Sequence, residues 1–86
     1  MDETYMVYIL QSSTTGRYYT GFTNDLDRRL AEHNRKKGKY TDAGQPWVIA
    51  YTEEYDSKID AQTREKFIKS RKSKSFIEEL ISSKER

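Results

Sequence analysis

Eighty-six residues, 34% of them apolar and 35% charged, allow one small folded core and leave no room for a second. Cysteine is absent, which excludes disulfides, thiolate nucleophiles and cysteine-based zinc sites. No apolar segment approaches the roughly 20 residues that span a bilayer, and no leader pattern opens the chain, so the expected setting is a reducing cytoplasm with no membrane.

The net charge is only +2, but it is unevenly spread: residues 28–39 and 64–74 together hold twelve Lys and Arg against two acidic side chains, leaving the remainder acidic. If the two segments meet in space they make the cationic footprint of a polyanion binder. If they do not, they are two solvated faces.

In chain order, the β-branched and aromatic run Tyr5 to Gln11 predicts a strand. The polar stretch Ser12 to Gly16 predicts a tight loop and Arg17 to Phe22 a second strand, so the pair reads as a β-hairpin. Asn24 offers an N-cap to a helix over about Asp25 to Asn34, with Asp25 and Asp27 in its favourable first turn. Gly38, Gly44 and Pro46 break residues 35–46 into a loop. Trp47 to Thr52 is apolar almost throughout and predicts a third, central strand. Ser57 followed by Asp60 starts a second helix, from about Lys58 to Lys69. Ser75 and Glu78 have capping-box spacing before a third helix striped by Phe76, Ile77, Leu80 and Ile81. The order β-β-α-β-α-α predicts an α/β (α+β) fold, a small three-stranded antiparallel sheet flanked by helices, as one domain over residues 1–86 with its core at about 5–81.

Chemistry-bearing residues recur along these elements. Tyr8 and Tyr19 stand on facing strands about 4.8 Å apart, so their phenols can converge, although a strand tyrosine is more often simple packing. Gly21 lets another backbone or a substrate approach closely. At 100° per residue, Arg29 and His33 flank the Leu26 and Leu30 stripe of the first helix, while Arg28 faces solvent. Arg29 needs a counter-charge, either a phosphate or a carboxylate. His33 beside apolar residues is more often a hydrogen-bonded structural group than a base. Glu65 lies beside Ala61 on the second helix and must be paired, with Arg64 or Lys66 on offer, or hold a hard cation such as Mg²⁺.

Taken together, the runs Met6-Val7-Tyr8-Ile9-Leu10, Tyr18-Tyr19-Thr20-Gly21-Phe22-Thr23, Asp25 to His33, and Ala61-Gln62-Thr63-Arg64-Glu65-Lys66 resemble the GIY-YIG nuclease superfamily, closest to its small stand-alone members. The resemblance spans roughly residues 5–81. It implies a metal-dependent endonuclease that hydrolyses phosphodiester bonds, with DNA favoured over RNA, directed by nucleic-acid structure in repair or recombination. It implies catalytic Tyr8, Tyr19, Arg29, His33 and Glu65, one Mg²⁺ or Mn²⁺ ion on Glu65, and Gly21 as a structural motif residue. Arg35, Lys36, Lys37, Lys39, Lys69, Arg71, Lys72 and Lys74 would grip the backbone without reading sequence. A targeting protein partner stays open. The first motif's glycine is Met6 here, and a lysine found after the second motif's glycine in excision-repair incision subunits is Phe22. The rival readings are a nucleic-acid-binding module with weak or no turnover, and a structural domain in which Arg29 and Glu65 form a plain ion pair.

Overall fold

A computed structural model describes residues 3–35 and 40–84. Strands β1 (Tyr5–Ser12), β2 (Tyr18–Thr23) and β3 (Trp47–Tyr55) form one antiparallel sheet in the order β2-β1-β3, with helices α1 (Leu26–Asn34), α2 (Lys58–Arg71) and α3 (Lys74–Lys84) packed on it. The order β-β-α-β-α-α and the antiparallel sheet are as expected from sequence.

The central strand is β1, not β3. It pairs with both neighbours, and Val7, Tyr8, Ile9 and Leu10 are all buried. The apolar run of β3 lies at a sheet edge instead, where Val48 and Ile49 are exposed. Tyr51 pairs with Ile9 and Ile49 with Leu10, so Ala50 is an extra residue in β3, a bulge of the kind that kinks an edge strand.

Alternation along β1 divides the core between the two faces of the sheet. Val7 meets Ala61 and Ile68 of α2, joined by Tyr5, Phe22, Tyr55 and the α3 residues Phe76, Ile77 and Leu80. Tyr8 and Leu10 meet Trp47, with Tyr19 and the α1 residues Leu26 and Leu30 around them. Phe22 therefore points away from the Tyr8 face, and a lysine at that position would not have faced Tyr8.

Local signals account for the helices. The Asp25 side chain, rather than that of Asn24, accepts the Arg28 N–H and caps α1. Ser57 accepts from the Asp60 N–H and caps α2 as expected. Lys72 ends α2 in the left-handed region at φ 46°, a turn that satisfies the last carbonyls. The Ser75–Glu78 capping box does not form: Ser73, two residues earlier, accepts the Phe76 N–H and caps α3.

A polar cluster ties β3 to α2. Glu53 takes a bidentate pair from Arg64, at 2.9 and 3.0 Å, and accepts the Tyr51 and Tyr55 hydroxyls. Burial works against the charged Glu53, but the contacts from Arg64, Tyr51 and Tyr55 outweigh it and hold the carboxyl below its ordinary value. Burial and the Glu53 contact push the Tyr51 phenol up to about 12.

Candidate active site

Tyr8 is the hub of the site and is almost wholly buried, at 1% exposure. Its cross-strand partner is Gly21, and its phenol leans over that residue. A Cβ built on Gly21 would lie 2.5 Å from the Tyr8 hydroxyl oxygen and 2.7 Å from the ring carbon bearing it. Sequence suggested that Gly21 admits a backbone or a substrate; what it admits is the chain's own phenol. With that space the hydroxyl reaches toward the β2 edge of the sheet.

There it meets a guanidinium and lies within electrostatic reach of a carboxylate. The Arg29 guanidinium on α1 lies close enough to act on the Tyr8 hydroxyl, and Glu65 on α2 acts on it electrostatically. Burial pushes the Tyr8 phenol above its ordinary value; Arg29 pulls it back, and Tyr19 and Glu65 add smaller upward pushes. The Tyr8 contact, with help from Glu32 and opposed by burial, holds Arg29 more firmly charged. Arg28 is exposed and 3.7 Å from Asp25, so the helical wheel separates the two arginines correctly.

His33 is buried, beside Tyr19 rather than Tyr8: its ring centroid is 4.5 Å from that of Tyr19 and 6.4 Å from that of Tyr8. Trp47, which sequence placed only in a strand, sets its indole edge-on to Tyr19 at 6.4 Å and tilted to His33 at 6.3 Å. Asn34 holds it there, donating to the Trp47 carbonyl at 2.9 Å and accepting its N–H at 2.6 Å. Asn34 thus pins the end of α1 to the start of β3.

The ion pairs differ from each of those considered from sequence. Arg29 pairs with Glu32 on its own helix at 2.8 Å, not with Glu65. Glu65 pairs with Lys69 at 3.2 Å, not with Arg64, which is committed to Glu53, nor with Lys66. The Glu65 side chain is 14% exposed and that of Lys69 is 52% exposed, so a largely shielded carboxylate is bridged by a mobile, hydrated ammonium. Lys69 also lies 6.0 Å from the Tyr19 ring centroid. It thereby brings a cation to the Tyr19 side of the site, which Phe22 does not.

The remaining basic residues divide. Lys72 and Lys74 line a cleft with Lys69, Arg17 and Tyr18, two of which sequence had not singled out. Arg71 turns to the Phe67 and Phe76 rings instead, at 5.9 and 5.4 Å. Arg35 is exposed just after α1, and Lys36, Lys37 and Lys39 lie outside the described residues.

Among the described residues no three His, Asp or Glu side chains cluster as a ready-made metal site. The single carboxylate Glu65 suits a hard divalent ion that takes one protein ligand and completes its shell with water and substrate phosphate. On donor chemistry, then, the residues fit such an ion.

This pairing of a central tyrosine strand with an arginine helix and a carboxylate helix is the layout of a known catalytic domain. Residues 4–78 match the family described as the GIY-YIG catalytic domain, and the chain belongs to that nuclease family. It is 48% identical to a UPF0213 protein of Halobacterium salinarum over 64 residues, 73% of this chain and 82% of the relative. It is 41% identical to a UPF0213 protein of Streptococcus pneumoniae over 83 residues, 95% of this chain and 82% of the relative. The solution NMR structure of a UPF0213 protein from Bacillus halodurans superposes with a TM-score of 0.60 at 38% identity, covering 94% of this chain and 85% of that one. The domain implies a nucleic-acid substrate, and enzymes of this family generally depend on a divalent metal.

Proposed function

We propose that this chain is a metal-dependent endonuclease that hydrolyses phosphodiester bonds in DNA, directed by the structure of its substrate, in repair or recombination. The observation that carries the reading is the meeting at one buried phenol of a guanidinium from α1 and the field of a carboxylate from α2. A structural domain would have little reason to spend a glycine on the route that phenol takes.

Glu65 would hold one Mg²⁺ or Mn²⁺ ion in place of Lys69. Bound there, the ion would supply positive charge against the scissile phosphate and the leaving oxygen. Arg29 is already turned to the hydroxyl of Tyr8 and stabilises charge that develops on the phosphate oxygens. Tyr8, kept protonated by burial, orients the attacking water through its hydroxyl rather than taking its proton. The proton goes to Tyr19, or to His33 acting through Tyr19, whose rings are in edge contact. Arg35, Lys69, Lys72 and Lys74 hold the backbone by charge; Lys36, Lys37, Lys39 and Arg71 are assigned the same role from sequence. The work is done in the cytoplasm, and targeting falls to a protein partner.

Purified protein incubated with labelled branched or nicked DNA cuts it with Mg²⁺ or Mn²⁺ and stops when the metal is chelated. Cutting that persists unchanged in chelator rules this scheme out. The second reading, a binding module with little turnover, is favoured by one feature: Arg29 and Glu65 each already hold an ion-pair partner on their own helix. It predicts salt-dependent DNA binding and no cutting under any divalent ion.

A further inference from the structure

Beside the candidate active site lie two clefts with a common wall. The larger, about 350 Å³, runs between the hairpin end and the junction of α2 with α3. That is the small end of the range for ligand pockets, roughly 300–1,000 Å³. Its rim carries Arg17, Lys69, Lys72 and Lys74, and no carboxylate lines it. Neither Lys72 nor Lys74 makes an ion pair with any described residue. Lys69 is paired with Glu65, but no carboxylate lines the opening itself. The smaller cleft, about 130 Å³, is lined by Tyr18, Tyr19 and Trp47, with Gly44 at its side. Thr15, Arg17 and Tyr18 line both.

We propose that the pair of clefts takes one unpaired nucleotide of the substrate next to the scissile phosphate. The base enters the aromatic slot against Tyr18, and its phosphates lie across the Arg17, Lys72 and Lys74 rim. The inference rests on the nuclease reading above and narrows its substrate class to nucleic acid with a single-stranded segment at the cut. The physical case has two independent parts. A basic rim with no acidic member attracts phosphate from any nucleic acid. A slot lined by aromatic side chains accepts a base that has left its stack, because a base inside a duplex has both faces covered by its stacked neighbours. Lys69 links these clefts to the chemistry, since it lines the larger one, stands over Tyr19 and reaches Glu65. A nucleotide phosphate that drew Lys69 toward the rim would release Glu65.

The test measures binding without turnover. Wild-type protein in chelator is titrated with three labelled probes: a blunt duplex, the same duplex with a single-stranded overhang, and that duplex with an abasic overhang. The overhang is expected to bind about tenfold tighter than the blunt duplex, and removing its bases to lose most of that gain. Lys72→Ala combined with Lys74→Ala should lower the salt slope for the overhang by about 1.4, near 0.7 for each single-strand phosphate contact. Tyr18→Ala should bind the overhang no better than the abasic probe, while Tyr18→Phe, which keeps the ring, should retain the preference. Equal binding of blunt and overhang probes overturns the proposal, as does an abasic overhang that binds as well as one with bases. Because no bond is cut, these outcomes are separate from any failure of the hydrolytic scheme.

Discussion

The hydroxyl of Tyr8 occupies the space where a side chain at Gly21 would begin. The two residues face each other across β1 and β2, and the phenol uses that gap to reach Arg29. Gly21→Ala places a methyl 2.5 Å from the hydroxyl oxygen. The new Cβ meets a buried ring, so the ring must move or the strands must part. The expected cost is about 1–3 kcal/mol of stability, and each kcal/mol should lower Tm by about 4–8 °C in a domain of this size. Thermal melting of Gly21→Ala beside Gly16→Ala as a surface comparison checks this. Gly16 has nothing within 4 Å of a Cβ but sits at φ +77°, so its own cost comes only from the backbone. An unchanged Tm for Gly21→Ala would show that Tyr8 does not sit over β2.

The Tyr8 phenol provides a second check. Burial raises its pKa and Arg29 opposes that rise. Removing Arg29 therefore leaves the upward pushes unopposed, and Arg29→Ala should move the ionisation of Tyr8 to still higher pH. Ring-carbon NMR of labelled tyrosines, with Tyr8→Phe to assign the signal among the seven, reads this shift. A downward shift, or none, would mean that the guanidinium does not touch the phenol.

Away from the site, the Glu53 cluster predicts how stability changes with pH. Glu53 is held below its ordinary value when folded, so its contribution is present above the unfolded carboxylate value, about 4.3, and is lost as pH falls through the lower folded value. Tyr51 has the opposite sign. Its folded value is near 12 against an ordinary 10.0, so its contribution is full below pH 10 and disappears as pH rises toward 12. Glu53→Gln should remove the acid limb of a plot of urea midpoint against pH and make the alkaline limb shallower, since burial, the larger push on Tyr51, remains. Arg64→Ala leaves the carboxylate short of its partner and should destabilise by about 1–3 kcal/mol at neutral pH. A Glu53→Gln profile that matches wild type at both ends would contradict the network.

Most of the architecture was legible because it is written in short-range pattern. A β-branched and aromatic run marked β1, the loop at Gly16 set β2 beside it, the 100° wheel separated Arg29 from Arg28, and Ser57 marked the start of α2. The errors share a cause. Trp47 to Thr52 reads as buried because it is apolar, but the bulge at Ala50 and the edge position of β3 come from pairing with β1, which no local pattern encodes. Ser75 has the right spacing for a cap, but so does Ser73 to Phe76, and the turn at Lys72 decides between them. Within the site, the residue types were legible and their partners were not. The Tyr8–Arg29 contact joins residues 21 positions apart, and the use of Gly21 emerges only once the strands are in register. Glu65 pairs with Lys69 one helical turn on, at i, i+4, rather than with its chain neighbours Arg64 and Lys66. Trp47 and Tyr18 could have been found only as aromatics at the mouth of a hairpin, a weak signal without the loops that close the clefts.

The central claim is that Arg29 and Glu65 act on a phosphodiester from either side of Tyr8. Single-turnover cleavage of labelled branched or nicked DNA with Mg²⁺ tests it most directly, comparing wild type with Arg29→Ala, Glu65→Gln and, as control, Arg28→Ala. The account predicts that Arg29→Ala and Glu65→Gln each slow cutting by on the order of 10²–10³. Glu65→Gln should keep a wild-type melting curve to within about 1 kcal/mol, because its Lys69 partner is half-exposed, whereas Arg29→Ala, which leaves the buried Tyr8 hydroxyl without its partner, should cost about 1–3 kcal/mol. Arg28→Ala should cut at close to the wild-type rate. Equal rates for wild type and Glu65→Gln, or an Arg28→Ala defect as large as that of Arg29→Ala, would contradict it.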